Sequence, residues 1–124
     1  MSVSAYKKTI RNTETPREIE RRIMSRITNK LSKVQADFDK ADNLKQAITA
    51  DVREAIYENQ QLWITVKADL MADGNQLSAQ LRADLISLAM WVDRQSDAVL
   101  GGEGRIAPLI EVNQNIMNGL SGKK

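Results

Sequence analysis

Four apolar stripes with helical spacing, each closed by a turn or by glycine, constrain this chain more than any other feature. The first runs through Ile19, Ile23, Ile27, Leu31, Val34 and Phe38, in steps of three and four that place them on one helix face. The second runs through Leu44, Ile48, Val52, Ile56, Leu62, Trp63, Val66 and Leu70 and stops at Asp73-Gly74-Asn75, a turn signal. The third starts after Leu77 with Ser78 as N-cap. It is expected to bury Leu81, Leu85, Leu88, Val92 and Val99 before Gly101-Gly102 and Gly104 end it. The fourth is short: Ile106, Leu109, Ile110, Ile116, Met117 and Leu120, with Pro108 in its first turn and Gly119 and Gly122 closing it. No strand pattern competes. Short connections between long helices favour antiparallel neighbours, so the expected fold is all-α, an antiparallel four-helix bundle with an N-terminal arm.

The start of the first helix is written in Thr15-Pro16-Arg17-Glu18. Thr15 is an N-cap, Pro16 occupies the first helical position, and Glu18 three residues after the threonine completes a capping box. Residues 1–14 then form an arm, 15–120 the helical bundle domain and 121–124 a frayed tail. The helix is expected to fade between Asp37 and Asn43. With 124 residues the chain is long enough for one domain with one continuous core.

Composition limits the chemistry. There is no Cys and no His, which removes disulfides, thiolate metal sites and the commonest general base. Glu54 with Glu58, and Asp93 with Asp97, are i,i+4 carboxylate pairs that could chelate a cation. On amphipathic helices such pairs are usually solvated faces. The carboxylate metal bundles need Glu-x-x-His, which this chain lacks. There is no Gly-rich phosphate loop and no nucleophile elbow. The chain is therefore read as non-enzymatic and without a cofactor. It shows neither a signal-peptide pattern nor an apolar run long enough to span a bilayer, so a cytoplasmic location without membrane insertion is expected.

Two amides interrupt the apolar stripes. Asn59 falls in the middle of the second and Asn113 in the middle of the fourth. An amide in an apolar core needs a hydrogen-bond partner. Either each finds a backbone carbonyl or water, or the two meet or cap a crossing chain and so fix the register of the bundle.

Charge is uneven. Residues 1–33 carry nine Lys/Arg against three Glu, a balance of +6; residues 34–124 carry nine against thirteen acids, −4. Arg22, Arg26, Lys30 and Lys33 form a stripe beside the apolar face of the first helix. It is either a solvated face or a surface for an acidic partner or RNA phosphate. The first helix has a single aromatic, Phe38, so the stacking pattern of an RNA-binding surface is weak. On the second helix Tyr57, Ile64 and Met71 recur at steps of seven on the side away from the core. On the third, Ile86 and Met90 point outward, and Trp91, like Trp63, sits at the margin of its stripe. Either the tryptophans widen the core, or the set forms a protein-binding face of the aromatic and Met type that holds helices.

The opening Ala5-Tyr6, Thr15-Pro16-Arg17-Glu18, then Asn59-Gln60-Gln61-Leu62-Trp63, and Leu109-Ile110-Glu111-Val112-Asn113-Gln114-Asn115-Ile116 resemble, in order and spacing, the FlaF family of flagellar biosynthesis regulators, over nearly the whole chain. The first quarter is also similar to the FliS flagellin chaperones, which open with a Tyr-bearing arm. The FlaF resemblance implies a non-enzymatic protein that promotes flagellin synthesis, secretion and flagellum assembly and binds flagellin as an export chaperone. The alternative it implies is an adaptor acting with FlbT in post-transcriptional control of flagellin translation, without holding flagellin. RNA contact would be absent or indirect. On the chaperone reading the bundle takes a terminal helix of flagellin. Tyr6, Tyr57, Trp63, Ile64, Met71, Ile86, Met90 and Trp91 would supply contacts and Arg22 and Arg26 orientation, and the arm from Ser2 to Asn12 would lie over the groove.

Overall fold

Helix α1 (Pro16–Asp39) starts at the proline expected at the first helical position, where the missing N–H has no intrahelical carbonyl to serve. The computed structural model describes the backbone of residues 16–120 and the side chains of residues 21–119. Tyr6, Thr15 and the rest of the expected arm, the Glu18 side chain and the tail 121–124 lie outside the described residues. Three helices follow: α2 (Ala50–Met71), α3 (Ala79–Leu100) and α4 (Ala107–Leu120). Among the described residues there is no strand.

The helices form an up-down-up-down bundle. Asp39 meets Ile106 while Thr28 meets Asn113, so α1 and α4 run antiparallel. Lys30 reaches Glu54 and Glu58 across α1 and α2, and Gln60 reaches Asp97 across α2 and α3. α2 packs most extensively on α3, and α1 on α4 and α2, whereas α3 and α4 barely touch. The core joins Met24, Leu31 and Phe38 to Val52, Ala55, Ile56, Trp63, Ala89, Val92, Val99, Ile106 and Leu109. Each large apolar side chain buried here contributes about 1.5–3 kcal/mol.

Helix ends follow local chemistry. The Ser78 hydroxyl accepts the Leu81 N–H at 3.2 Å, as the sequence predicts. Thr49 does the same for Val52 at 3.2 Å, and this places the start of α2 at Ala50 rather than Leu44. Leu44 and Ile48 belong to the connection, where both still pack on the core; their spacing imitates a helix because the connection lies over an apolar surface. Gly102 adopts φ +76°, the left-handed conformation that ends α3. A Cβ there would stand 2.7 Å from the Cα of Lys45, so this glycine also lets the α1–α2 connection close over the end of α3. At the other end of α4, Gly119 does not terminate the helix, which continues to Leu120.

Asp39 ties the end of α1 to the start of α4. Its carboxylate accepts the Ile106 N–H at 2.7 Å and the Ala107 N–H at 2.9 Å, and its carbonyl accepts from Arg105. The last residue of α1 is thus the N-terminal cap of α4, satisfying amide donors that have no intrahelical partner.

Candidate functional site

The two interrupting amides meet. Asn113 and Asn59 are both fully buried, and Asn113 Nδ2 donates to Asn59 Oδ1 at 2.8 Å and to Thr28 Oγ1 at 3.1 Å. The Thr28 hydroxyl in turn donates to the Met24 carbonyl at 2.7 Å. The indole N–H of Trp63 donates to Asn113 Oδ1 at 2.9 Å. The layer therefore spans α1, α2 and α4, and α4 bonds diagonally across the core to α2. Within this layer only Asn59 Nδ2 is left without a partner. α3 takes no part: its buried Ser96 donates to the Val92 carbonyl of the same helix at 2.7 Å.

This layer corrects the reading of Trp63. At 3 % exposure it is an interior residue and not a margin residue, because its polar edge has a partner inside the bundle. Trp91 is half-buried and packs against the core from outside. Ile86, expected to point outward, is likewise half-buried, and Ile23, expected in the core, is partly exposed. Met24 and Thr28, which no stripe included, are buried instead.

The basic stripe of α1 is partly engaged within the bundle. Arg26 pairs with Glu58 at 3.6 Å, and Lys30 lies 3.1 Å from Glu54 and hydrogen-bonds Glu58. The Glu54 and Glu58 pair thus receives an ammonium group from the neighbouring helix. Hydrogen bonding to Lys30 holds the Glu58 carboxyl below the usual carboxylate range, and the bonds to Glu58 and then Glu54 push the Lys30 ammonium upward. Arg21, Arg22, Ser25, Arg26 and Asn29 line a broad, shallow depression on the outside of α1.

The outward face of α2 and α3 carries exposed apolar side chains among polar ones. Tyr57, Ile64, Met71 and Met90 are between 46 % and 63 % exposed. Ile64 and Lys67 of α2 and Ala89 and Asp93 of α3 border a shallow groove of about 160 Å³, floored by Trp63 and Val92. From Tyr57 to Met71 the face runs about 21 Å at the helical rise, the length of four turns of a partner helix. Sequence spacing found Tyr57, Ile64 and Met71 on α2 and Met90 on α3; the groove itself needed the two helices side by side.

Among the described residues no group of three or more His, Cys, Asp or Glu side chains is placed to hold a metal, and no helix is long and apolar enough to cross a membrane. Fold and surface together describe a helical bundle with a polar layer inside and exposed apolar side chains outside. Residues 2–120 match the family model described as flagellar protein FlaF, and the chain belongs to that family, whose members regulate flagellar biogenesis. No characterised protein and no solved structure shows significant similarity to it.

Proposed function

We propose that the bundle binds flagellin as an export chaperone and so promotes flagellin secretion and flagellum assembly. The observation that carries this reading is the exposed apolar face of α2 and α3, taken with FlaF membership. An amphipathic helix of flagellin, left alone, would expose its apolar stripe and associate wrongly. Laid along Tyr57, Ile64, Met71 and Met90, with Ile86 and Trp91 at the border, that stripe is buried. Met and aromatic side chains suit such a groove because they adapt to a partner's shape. The Arg22 and Arg26 side of α1 orients an acidic flank of the ligand.

Calorimetric titration with intact flagellin, flagellin lacking its terminal helices, and FlbT tests the reading. Binding to intact flagellin and not to the truncated form supports it. Binding to FlbT alone transfers the function to an adaptor in translational control. Binding driven by apolar burial changes little between low and high salt, whereas contact with RNA would weaken steeply.

A further inference from the structure

The outer seam between α2 and α3 is bridged at one level and open at the next. Gln60 Nε2 donates to the Asp97 carboxylate at 3.2 Å and joins the two helices. Ile64 and Asp93 stand one turn beyond on their helices, and there the groove of about 160 Å³ opens. Its floor is apolar: Trp63, Val92 and Ala89 are 3 %, 1 % and 4 % exposed. Ala89 brings only a methyl group to this floor and leaves the space above it unfilled. A cavity of about 150 Å³ takes a benzene molecule. The groove therefore has room for one leucine, methionine or phenylalanine side chain delivered from outside. Its walls carry opposite charges, with the half-buried Lys67 on α2 and the exposed Asp93 on α3. Neither takes part in an ion pair among the described residues.

We infer that this groove is a socket for one apolar anchor of a docked amphipathic helix, flanked by a carboxylate toward Lys67 and a basic group toward Asp93. The inference rests on the proposed docking of flagellin on this face and gives that docking a register. Exposed Tyr57, Met71 and Met90 offer apolar area to many registers alike. A hole that takes one side chain does not, because a knob must fall where the hole is. Sliding the ligand one turn toward Gln60 would set its anchor over the Gln60 and Asp97 bond, where an apolar group shields polar atoms from water. The two charges add direction. Turning the ligand helix end for end exchanges its flanks and brings each charge beside its own sign, which is unfavourable. Ala89 is then a specificity-determining position, because its small side chain sets the size of the anchor.

Titration of the full chain with intact flagellin tests the socket. Ala89→Leu fills it from the floor and should weaken binding by at least about tenfold, the low end of what one apolar group contributes in a pocket. Exchanging the wall charges, Lys67→Asp with Asp93→Lys, keeps the hole and the net charge and should weaken binding by at least about fivefold. Ala89 also packs in the core, so where Ala89→Leu lowers the thermal midpoint the charge exchange decides alone. Met71→Asp with Met90→Asp alters the same face outside the socket. If those aspartates weaken binding and neither socket variant does, the socket is overturned while the docking face stands. If Ala89→Leu weakens binding and the charge exchange does not, the assignment of the flanks is overturned. If the unsubstituted chain does not bind intact flagellin, the chaperone reading fails and the socket falls with it.

Discussion

Asn113 donates from Nδ2 to Oδ1 of Asn59 across 2.8 Å in the middle of an otherwise apolar bundle. The two residues contribute unequally. Asn113 holds three partners, Trp63, Thr28 and Asn59, whereas Asn59 accepts one bond and carries an unpaired Nδ2. Replacing Asn113 with Leu strands the Trp63 N–H and the whole Asn59 amide in a dry interior, and should destabilise the fold by about 3 kcal/mol. Replacing Asn59 with Leu removes the orphan together with the bond and leaves Asn113 its contacts to Thr28 and Trp63; the loss should stay under about 1 kcal/mol. Urea unfolding of both variants checks the asymmetry. Equal losses would mean the layer is held by packing and not by its hydrogen bonds.

That meeting was among the alternatives open in the sequence, because two amides in two apolar stripes need partners. The four helices and the Ser78 cap were legible for the same kind of reason: each is set by residues within a turn or two. What could not be read was what depends on neighbours. Trp63 looked marginal on its own helix, and only the carbonyl of Asn113, brought over by α4, makes an interior position suit it. Leu81 looked buried because its spacing is right, but burial also requires a neighbouring helix against it, and Leu81 is 44 % exposed. Asp39 looked like part of a fading acidic end, since nothing near it in sequence shows that Ile106 will arrive.

Asp39 gives the second prediction. Its carboxylate accepts from Ile106 and Ala107, residues of a different helix, and Gln35 Nε2 holds it at 3.0 Å. Asp39→Ala should destabilise by about 1–2 kcal/mol, the range of a lost N-cap. Asp39→Asn, which keeps an acceptor oxygen, should recover part of that. Hydrogen exchange in the first turn of α4 should rise more than exchange in α2. A uniform rise would show that the contact acts on the whole fold and not on the helix end.

The Lys30 and Glu58 pair sets a pH dependence. Glu58 titrates below its usual 4.5 in the folded state, because the Lys30 bond favours its charged form. Its contribution is therefore present above the unfolded value and disappears as pH falls through the lower folded value. Lys30 titrates above its usual 10.5, so its share is present below that and is lost only as pH rises further. Between these limits the pair contributes a constant amount. In Glu58→Gln the drop in urea midpoint from pH 6 to pH 3 should be smaller than in the parent. Identical drops in both proteins would remove the pair from the account of acid sensitivity.

The outer face of α2 and α3 can be tested apart from the core beneath it. Ile64 and Met90 are about half exposed, so Ile64→Asp and Met90→Asp leave the interior packed and should shift the thermal midpoint little. Together they put two carboxylates beside a groove bordered by Ala89 and Asp93. A ligand helix with an apolar stripe would then have to desolvate those charges. On the proposed chaperone reading, flagellin binding should weaken by at least about 30-fold, the size of a lost hot spot. Trp63→Ala is the wrong probe for this face. The indole is interior and bonded to Asn113, so its loss opens a cavity and should cost about 3–5 kcal/mol of stability before any ligand is added. If the paired aspartates bind flagellin as tightly as the parent does, the docking face lies elsewhere on the bundle, and the basic depression on α1 is the next surface to reverse in charge.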